Sequence, residues 1–246
     1  MINKNIISFL GLSMHAWTME ETVETIRVRL KDNCFTQHVV VNVAKLVGMR
    51  KDSILANSVT SCDIINIDGM GVVWGARFLG NDVPERVSGI DLFYKLLKMS
   101  SQEGYPVFLL GAKEEVINKT VDNVIKLYPD LNIAGFHHGF FWDNEEEVVE
   151  EICRSGAKLL FVAISSPNKE NFINQWKDQL GVSFVMGVGG TFDVVSGFVK
   201  RAPLWMQQLG LEWLYRVLQE PNRMWKRYLV SNTQFFILLL KEKLFK

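Results

Sequence analysis

The sequence predicts an α/β fold in which helices cover both faces of a mostly parallel sheet, followed by a helical C-terminal appendage. Short apolar segments alternate with helical segments over most of the 246 residues. These short segments are apolar throughout rather than at every second residue, which is typical of parallel strands buried on both faces. From about Leu204 the alternation stops, and aromatic and basic residues at helical spacing replace it.

The N-terminal segment predicts a strand or hairpin and then a helix. Ile6–Ala16 faintly resembles a signal peptide, but Ser8, Gly11, Ser13 and His15 interrupt its apolar residues, so we interpret it as a strand or hairpin. The longest apolar segment, Phe235–Leu240, is far too short to span a bilayer. Thr18 is predicted to cap a helix that extends to Leu30. Glu21 lies at the capping-box position, where its side chain can accept from the backbone N–H of Thr18.

Two β-branched segments follow, and each predicts a strand that ends on a polar residue. The first is His38–Val41, followed by Asn42 and a helical segment to about Met49. The second is Ile64–Ile67, followed by Asp68. Two glycines and an apolar segment with helical spacing come next, so this strand is predicted to turn tightly into a helix.

The strand-helix alternation then becomes regular. After a loop over residues 80–89, Ser88 is predicted to cap a helix with an apolar face. The predicted strands that follow are Val107–Leu110, Asn132–Phe136, Lys158–Ile164 and Ser183–Met186. The predicted helices between them are Glu114–Tyr128, Glu145–Arg154 and Asn168–Leu180. Together these units predict a Rossmann-like sheet.

Polar residues and glycines follow the predicted parallel strands directly. In a parallel sheet the carboxyl ends of the strands meet at one edge, which is the usual ligand crevice. Glycines there allow backbone N–H groups to approach a phosphate closely. We therefore predict a nucleotide-like ligand, without a specified reaction. The residues at these strand ends are Asn42, Asp68, Gly111, His137, His138, Ser165, Ser166 and Gly187–Gly190.

The chain is electrically neutral overall, but its charge is unevenly distributed. Residues 201–246 contain eight Lys or Arg and three acidic residues, so they carry +5 and the first 200 residues carry −5. We predict two domains, an α/β catalytic domain at residues 1–200 and a basic amphipathic helical appendage at 201–246. The basic end suggests an anionic partner. Three widely spaced cysteines argue against a disulfide framework or a zinc site and fit a reducing cytoplasm.

Aromatic and apolar residues four apart predict one helix in the appendage: Trp205, Leu209, Trp213 and Val217. Pro221 is predicted to end that helix and to begin a second one. The stripe is interpreted either as core packing or, with the basic residues beside it, as a membrane-surface contact. A subunit interface in a homo-oligomer is a further interpretation.

Five motifs in this order and spacing resemble those of the WecG/TagA/CpsF glycosyltransferases, glycosyltransferase family 26. The resemblance covers roughly residues 5–246. The motifs are Asp68–Val73 (DGMGVV), Arg86–Leu92 (RVSGIDL), Gly189–Val194 (GGTFDV), Gly197 with Arg201–Pro203, and Leu211–Arg216 (LEWLYR) followed by Glu220–Arg223 (EPNR).

The resemblance implies an enzyme that transfers a sugar, often of the N-acetylmannosamine type, from a UDP donor to a sugar on a polyprenyl-diphosphate lipid, with inversion. It also implies assembly of a cell-surface polysaccharide such as teichoic acid, capsule or exopolysaccharide. The enzyme would act as a peripheral protein at the cytoplasmic face of the cell membrane. Nucleic acid is not among the expected partners.

The resemblance also assigns roles to individual residues. Asp68 is expected to be the general base on the acceptor hydroxyl. Asn42 and Asp193 would contact the nucleotide, although Asp193 could equally cap a helix, and Arg86 would contact the diphosphate or donor. Further substrate-binding residues are expected in the glycine turns and in the appendage, namely Gly111, Gly189, Gly190, Arg216 and Arg223.

The sequence departs from the family pattern at two positions. Val40 replaces a threonine that often precedes the asparagine by two residues. Lys169 replaces the glutamine of a Pro-x-Gln-Glu motif, so a cation takes the place of a hydrogen-bonding amide, and we count it among the substrate-binding residues. Both differences concern the donor sugar rather than the type of reaction.

Parts of the sequence suggest other functions. The pair His137–His138 suggests a metal site, but no Asp-x-Asp motif or nearby ligand set completes it, so no metal cofactor is expected. A nucleotide-dependent oxidoreductase is an alternative, although the Gly-x-Gly-x-x-Gly turn is missing. The non-enzymatic alternative is a nucleotide-sugar-binding or membrane scaffold protein. Without a metal, arginines would have to stabilise the leaving UDP.

Overall fold

A computed structural model describes residues 5–244 and confirms the predicted α/β class. Its eight strands are β1 Ile6–Phe9, β2 Leu12–His15, β3 Thr36–Val41, β4 Ile64–Ile67, β5 Val107–Gly111, β6 Ile133–His137, β7 Leu159–Ala163 and β8 Phe184–Gly187. They form one sheet in the order β1-β2-β4-β3-β8-β7-β5-β6. Only the β1–β2 hairpin is antiparallel among the described pairs.

The helices follow the predicted alternation. They are α1 Met19–Lys31, α2 Val43–Met49, α3 Ser53–Thr60, α4 Met70–Phe78, α5 Gly89–Glu103, α6 Glu114–Leu127, α7 Glu145–Arg154, α8 Asn168–Trp176, α9 Thr191–Val195, α10 Leu204–Gln208, α11 Glu212–Gln219 and α12 Pro221–Leu244. The capping box at Thr18 and Glu21 is present as predicted.

Helices cover both faces of the sheet, so its side chains are divided between two layers of core. On one face α1, α5, α6 and α9 pack around large buried side chains such as Phe93, Phe161 and Phe184. On the other face α2, α3, α4 and α12 cover β1 to β4, and α7 and α8 cover β5, β7 and β8. This packing explains why the central strands are apolar on both sides.

Two elements differ from the prediction in the α/β part. Helix α3 was not predicted; the Asp52 side chain begins it by accepting from the backbone N–H groups of Ile54 and Leu55. Strand β6 was predicted to be buried, yet it is partly exposed, with Phe136 41% exposed. Strand β6 lies at the edge of the sheet, where a neighbouring strand covers only one of its sides.

Within residues 201–244 the appendage contains three helices, so the prediction of two was wrong. Gly210 has φ +69°, a left-handed conformation that favours glycine, and it separates α10 from α11. Trp205 and Trp213 therefore lie on different helices and are 58% and 37% exposed. The aromatic stripe is not packed in a core. The predicted start of a helix at Pro221 is confirmed.

Helix α12 packs back onto the α/β part of the chain. Phe235 and Leu239 of α12 are buried in the same cluster as the side chains of β3 and β4. A Cβ added at Gly75 of α4 would lie 2.8 Å from the Phe235 ring, so the two helices approach closely there. The division of the chain into domains at residue 200 stays a prediction.

A buried histidine in the central strand β3 makes the stability of the protein depend on pH. His38 of β3 lies 2.8 Å from the Asn66 side chain, and Asn66 donates to Thr22. Burial lowers the pKa of His38 from 6.5 to about 4, against the opposing effect of the Asn66 contact. His38 therefore stays neutral in the folded protein, whereas it binds a proton below pH 6.5 in the unfolded chain.

We expect the protein to lose stability as the pH falls from 6.5 towards 4. The unfolded state binds more protons in this window, which costs about 3 kcal/mol over its full width. Urea unfolding at pH 7 and at pH 5 measures the effect. The variant His38→Gln should show a smaller difference between the two pH values, and an unchanged difference would contradict the role of His38.

Candidate active site

Asp68 lies at the carboxyl end of β4, at the edge of the sheet. Its backbone N–H donates to the carbonyl of Val41 at the end of β3, 2.8 Å away. Gly69 follows as the N-cap residue of α4 with φ +100°, a backbone conformation that favours glycine and lets the chain turn directly into the helix. A Cβ on Gly89 would lie 3.8 Å from Asp68 Oδ2, so the carboxylate faces the start of α5.

The surroundings of Asp68 make its carboxylate a stronger base than usual. Burial raises its pKa, and Glu212 adds to this rise. Arg86, the backbone N–H of Gly89 and Arg216 oppose it, but the net pKa remains above the ordinary value. A partly enclosed carboxylate with a raised pKa at a ligand crevice is suited to accept a proton from a bound hydroxyl.

An alternating chain of charges connects the appendage to this site. Arg86 Nη1 lies 2.5 Å from Glu212 Oε2 in α11. The other Glu212 oxygen lies 3.5 Å from Arg201 Nε, and Arg201 binds both carboxylate oxygens of Asp91 in α5 at 2.6 and 2.7 Å. The structure therefore brings Arg86 and Arg216 to Asp68, from two parts of the chain.

A second charged cluster is buried below the same edge. Lys45 Nζ and Lys169 Nζ each lie 2.8 Å from Glu170 Oε1, and Lys45 also donates to the carbonyl of Val40. Burial alone would raise the pKa of Glu170, but Lys45 and Lys169 outweigh it and hold that pKa at about 2. The stem of Lys169 lies against Gly187, so this substitution for the family's glutamine faces the end of β8.

The remaining predicted residues lie at strand ends or in the helices α9 and α12. Asn42 caps α2 by accepting from the Lys45 backbone N–H at 3.0 Å. Gly111 ends β5, and a side chain there would collide with the carbonyl of Ala163. Gly189 and Gly190 connect β8 to α9, whose first turn contains Asp193. Arg223 lies in α12, but its side chain is outside the described part of the structure.

His137 and His138 are separated from Asp68 by most of the width of the sheet, because β6 is the strand farthest from the hairpin. They line a cavity of about 380 Å³ together with Phe140, Phe141, Asp143 and α7 residues. Within residues 5–244, no group of three or more His, Cys, Asp or Glu side chains is placed to hold a metal ion. The absence of a metal cofactor stays a prediction.

Residues missed in the sequence complete both charged clusters. Glu212 and Arg201 belong to recognised motifs, but nothing in their local sequence indicates that they pair with Arg86 and Asp91. Lys45 and Glu170 are 125 positions apart in the chain, and only the fold brings them together. The sequence does place Lys45 between apolar residues in the helix after Asn42, and this signal could have been noticed, since a lysine on a buried face seldom lacks a partner.

The described helices include none that combines the length and the apolar character needed to cross a membrane. Large apolar side chains are nevertheless exposed near the appendage. Trp74 and Phe78 of α4 and Trp225 and Phe236 of α12 are each between 46% and 60% exposed. Exposed aromatic residues next to basic side chains are typical of surfaces that bind a membrane or another subunit.

A statistical model of the Glycosyl transferase WecG/TagA/CpsF family matches residues 7–246. The chain belongs to this family. It is therefore a glycosyltransferase, and the resemblance inferred from the five motifs is confirmed. The family match includes the appendage as well as the sheet.

Two relatives carry the same name, N-acetylglucosaminyldiphosphoundecaprenol N-acetyl-beta-D-mannosaminyltransferase. The protein from Bacillus subtilis is 38% identical over 193 residues, which span 78% of this chain and 74% of the relative. The protein from Bacillus spizizenii is 39% identical over 170 residues, which span 69% of this chain and 65% of the relative. Both relatives are hexosyltransferases.

The turn before α11 allows the position of the appendage in this glycosyltransferase to be tested. A Cβ at Gly210 would lie 2.6 Å from the Met70 Cβ and 3.1 Å from the Trp74 ring. Both residues belong to α4, the helix that follows Asp68. We expect Gly210→Ala to displace α11 and to reduce kcat by about 10²-fold, as misplaced catalytic groups do. Steady-state transfer kinetics measure this effect.

Gly80→Ala is the matched control for that variant. Gly80 has φ +85° and nothing within 4 Å of an added Cβ, so its replacement introduces the same backbone strain without a collision. We expect Gly80→Ala to lower the melting temperature slightly and to keep kcat near the wild-type value. Equal losses of kcat in the two variants would show that contact with α4 does not matter for turnover.

Proposed function

We propose that this glycosyltransferase moves a sugar, with inversion, from a UDP donor to a sugar linked to a polyprenyl diphosphate. The observation that carries the proposal is the Asp68 carboxylate, which lies at the ligand edge of the sheet and has a raised pKa. Arginines from two parts of the chain lie near it, and their charge suits a diphosphate. Family membership supports the choice of sugar transfer over the nucleotide-dependent oxidoreductase.

In the proposed step, Asp68 accepts the proton of an acceptor hydroxyl as that oxygen attacks the anomeric carbon of the donor. The bond from the anomeric carbon to the UDP oxygen breaks on the opposite side, and UDP leaves with the electron pair. The proton passes from Asp68 to water after release. Attack from the side opposite to UDP inverts the configuration at the anomeric carbon.

The negative charge on the leaving UDP is stabilised by cations in this proposal. Arg86 and Arg216 lie close enough to Asp68 to change its pKa, so they would contact the diphosphate of a donor bound beside it. Arg223 is proposed to join them. The glycine turns at Gly111, Gly189 and Gly190, with Asn42 and Asp193, are proposed to contact the nucleotide. Preorganised cations stabilise such a leaving group without a metal ion.

The relatives suggest the class of both sugars. Their name describes transfer of an N-acetyl-β-D-mannosaminyl group to N-acetylglucosaminyldiphosphoundecaprenol. A β-linked product is what inversion of an α-linked nucleotide sugar gives. For this chain we propose an N-acetylmannosamine-type or other hexose donor, and Lys169 and Val40 are the residues that we expect to influence this choice.

A lipid-linked acceptor requires the enzyme to work next to a membrane. We propose that the exposed aromatic residues of α4 and α12, with the basic residues of the appendage, bind the cytoplasmic surface of the cell membrane. Co-sedimentation with anionic vesicles tests this. A concentration-dependent dimer that does not bind vesicles would instead assign the surface to a subunit interface.

The proposed reaction is tested by measuring UDP release from a panel of UDP-sugars with a short-chain polyprenyl-diphosphate N-acetylglucosamine acceptor. We expect release from at least one donor only when the acceptor is present, and no loss of activity with a chelator. A melting temperature raised by NAD(P) and not by UDP would favour the oxidoreductase. Binding of a UDP-sugar without any transfer would favour the non-enzymatic protein.

A further inference from the structure

Glu212 occupies an unusual position for a residue of the appendage. It is the first residue of α11, yet its carboxylate lies 2.5 Å from Arg86, which precedes it by 126 positions. Both side chains are largely shielded from water, with Arg86 14% and Glu212 23% exposed. An ion pair this shielded is screened less by salt than a surface pair and fixes the position of the guanidinium.

Arg86 acts on three carboxylates. It pairs with Glu212, and its charge also lowers the pKa of Asp68 and of Asp91. No ion pair within 4 Å joins Arg86 to Asp68, although the structure describes both residues. Arg201 already pairs with both oxygens of Asp91, so among these three described carboxylates Asp68 is the one that has no salt bridge and could receive an arginine released from Glu212.

We propose that Glu212 is a positioning residue that holds Arg86 beside the Asp68 carboxylate rather than on it. The inference rests on the proposed role of Asp68 as the base. An arginine paired directly with Asp68 would occupy the oxygens that must accept the proton, and it would weaken the base. Held by Glu212, the same guanidinium remains available for the diphosphate.

The second carboxylate oxygen of Glu212 explains how this residue can hold Arg86 in a fixed position. Arg201 Nε lies 3.5 Å from it, and Asp91 of α5 holds Arg201 through two hydrogen bonds. Asp91 thus holds Arg201 in place near Glu212. The position of Arg86 therefore depends on the packing of α11 against the α/β part of the chain. Through the Arg86–Glu212 pair, α11 is connected to the base.

The effect on Asp68 can be worked out from the groups that face it. These are Arg86 from the loop before α5, the backbone N–H of Gly89, and Glu212 and Arg216 from α11. Glu212→Gln removes the negative charge that raises the Asp68 pKa and releases the arginine that lowers it. Both changes act in the same direction, so the Asp68 pKa should fall.

The test is a direct titration of Asp68 by carboxyl-carbon NMR in full-length protein labelled at aspartate, with the Asp68 signal assigned from Asp68→Asn. We expect Glu212→Gln to lower the Asp68 pKa and Glu212→Asp, which retains the charge, to leave it near the wild-type value. Glu103→Gln is the matched control, because it removes an equally shielded carboxylate from an ion pair with Arg27 at the other end of α5, and neither residue acts on Asp68. A pKa that is unchanged in Glu212→Gln, or lowered equally in Glu103→Gln, would overturn the inference.

The pH profile of kcat/KM connects this titration to turnover. In Glu212→Gln the acid limb should move to lower pH, and the plateau should fall roughly tenfold because a weaker base removes part of the 10²–10⁴-fold effect of general base catalysis. The NMR result does not require transferase activity, so it tests Glu212 separately. Wild-type protein that shows a raised Asp68 pKa but no transfer would refute the proposed function and not the positioning.

Discussion

Asp68→Asn is expected to lower kcat by about 10²–10⁴-fold, the range that a general base contributes. Asparagine has nearly the same shape, but its amide cannot accept the proton of the acceptor hydroxyl. UDP should bind with nearly the wild-type affinity, because the proposed diphosphate contacts come from the arginines. Transfer kinetics and calorimetric titration with UDP measure the two quantities.

Asp82→Asn is a suitable control for that variant. Asp82 is an exposed residue of the loop after α4, so the same change of side chain there should leave both transfer and UDP binding intact. Full activity of Asp68→Asn would disprove its role as base. A parallel loss of UDP affinity would mean that Asp68 acts in binding and not in proton transfer.

Glu170→Gln is expected to lower the free energy of unfolding by about 3–5 kcal/mol, the cost of breaking a buried ion pair. Glu170 is 3% exposed and is the carboxylate that Lys45 and Lys169 share. Its replacement leaves two buried ammonium groups facing a neutral amide. Denaturant unfolding at neutral pH, where the Glu170 carboxylate is ionised, measures the change.

The control for this variant is Glu150→Gln. Glu150 pairs with Arg154 within α7, and both side chains are more than 60% exposed. An exposed pair one helical turn apart contributes about 0.3–0.5 kcal/mol. A similar small loss for Glu170→Gln would show that the Lys45–Glu170–Lys169 cluster does not stabilise the fold.

Local signals made most of the fold predictable. The capping box at Thr18 and Glu21 lies within four residues, and the apolar strands are recognisable from composition alone. Because parallel strands place their carboxyl ends at one edge, Asp68 and Asn42 were predicted to lie along the same edge of the sheet, and the structure places their strands side by side. The five motifs then identified the family.

Contacts between distant parts of the chain were not predictable. Helix α3 is short and begins at a cap that resembles an ordinary turn, and the left-handed Gly210 divided a helix that spacing alone predicted to be continuous. The pair Arg86–Glu212 depends on how α11 is placed, which no local pattern specifies. The exposure of Trp205 on α10 and Trp225 on α12 was not predictable either, because it depends on how these helices pack.

The packing of α12 changes how the role of the appendage should be tested. Deletion of residues 204–246 would remove Phe235 and Leu239 from a core cluster and expose β3 and β4 side chains. Loss of activity after such a deletion would report unfolding as well as loss of the site. The single substitutions at Gly210 and Glu212 separate the two effects.

The most direct measurement of the central claim is the anomeric configuration of the transferred sugar, determined by proton NMR on the product of an α-linked UDP-sugar. Direct attack by an acceptor hydroxyl that Asp68 deprotonates predicts a β linkage, with one UDP formed for each sugar transferred. An α-linked product would require two displacements or a different mechanism, and it would contradict the role proposed for Asp68.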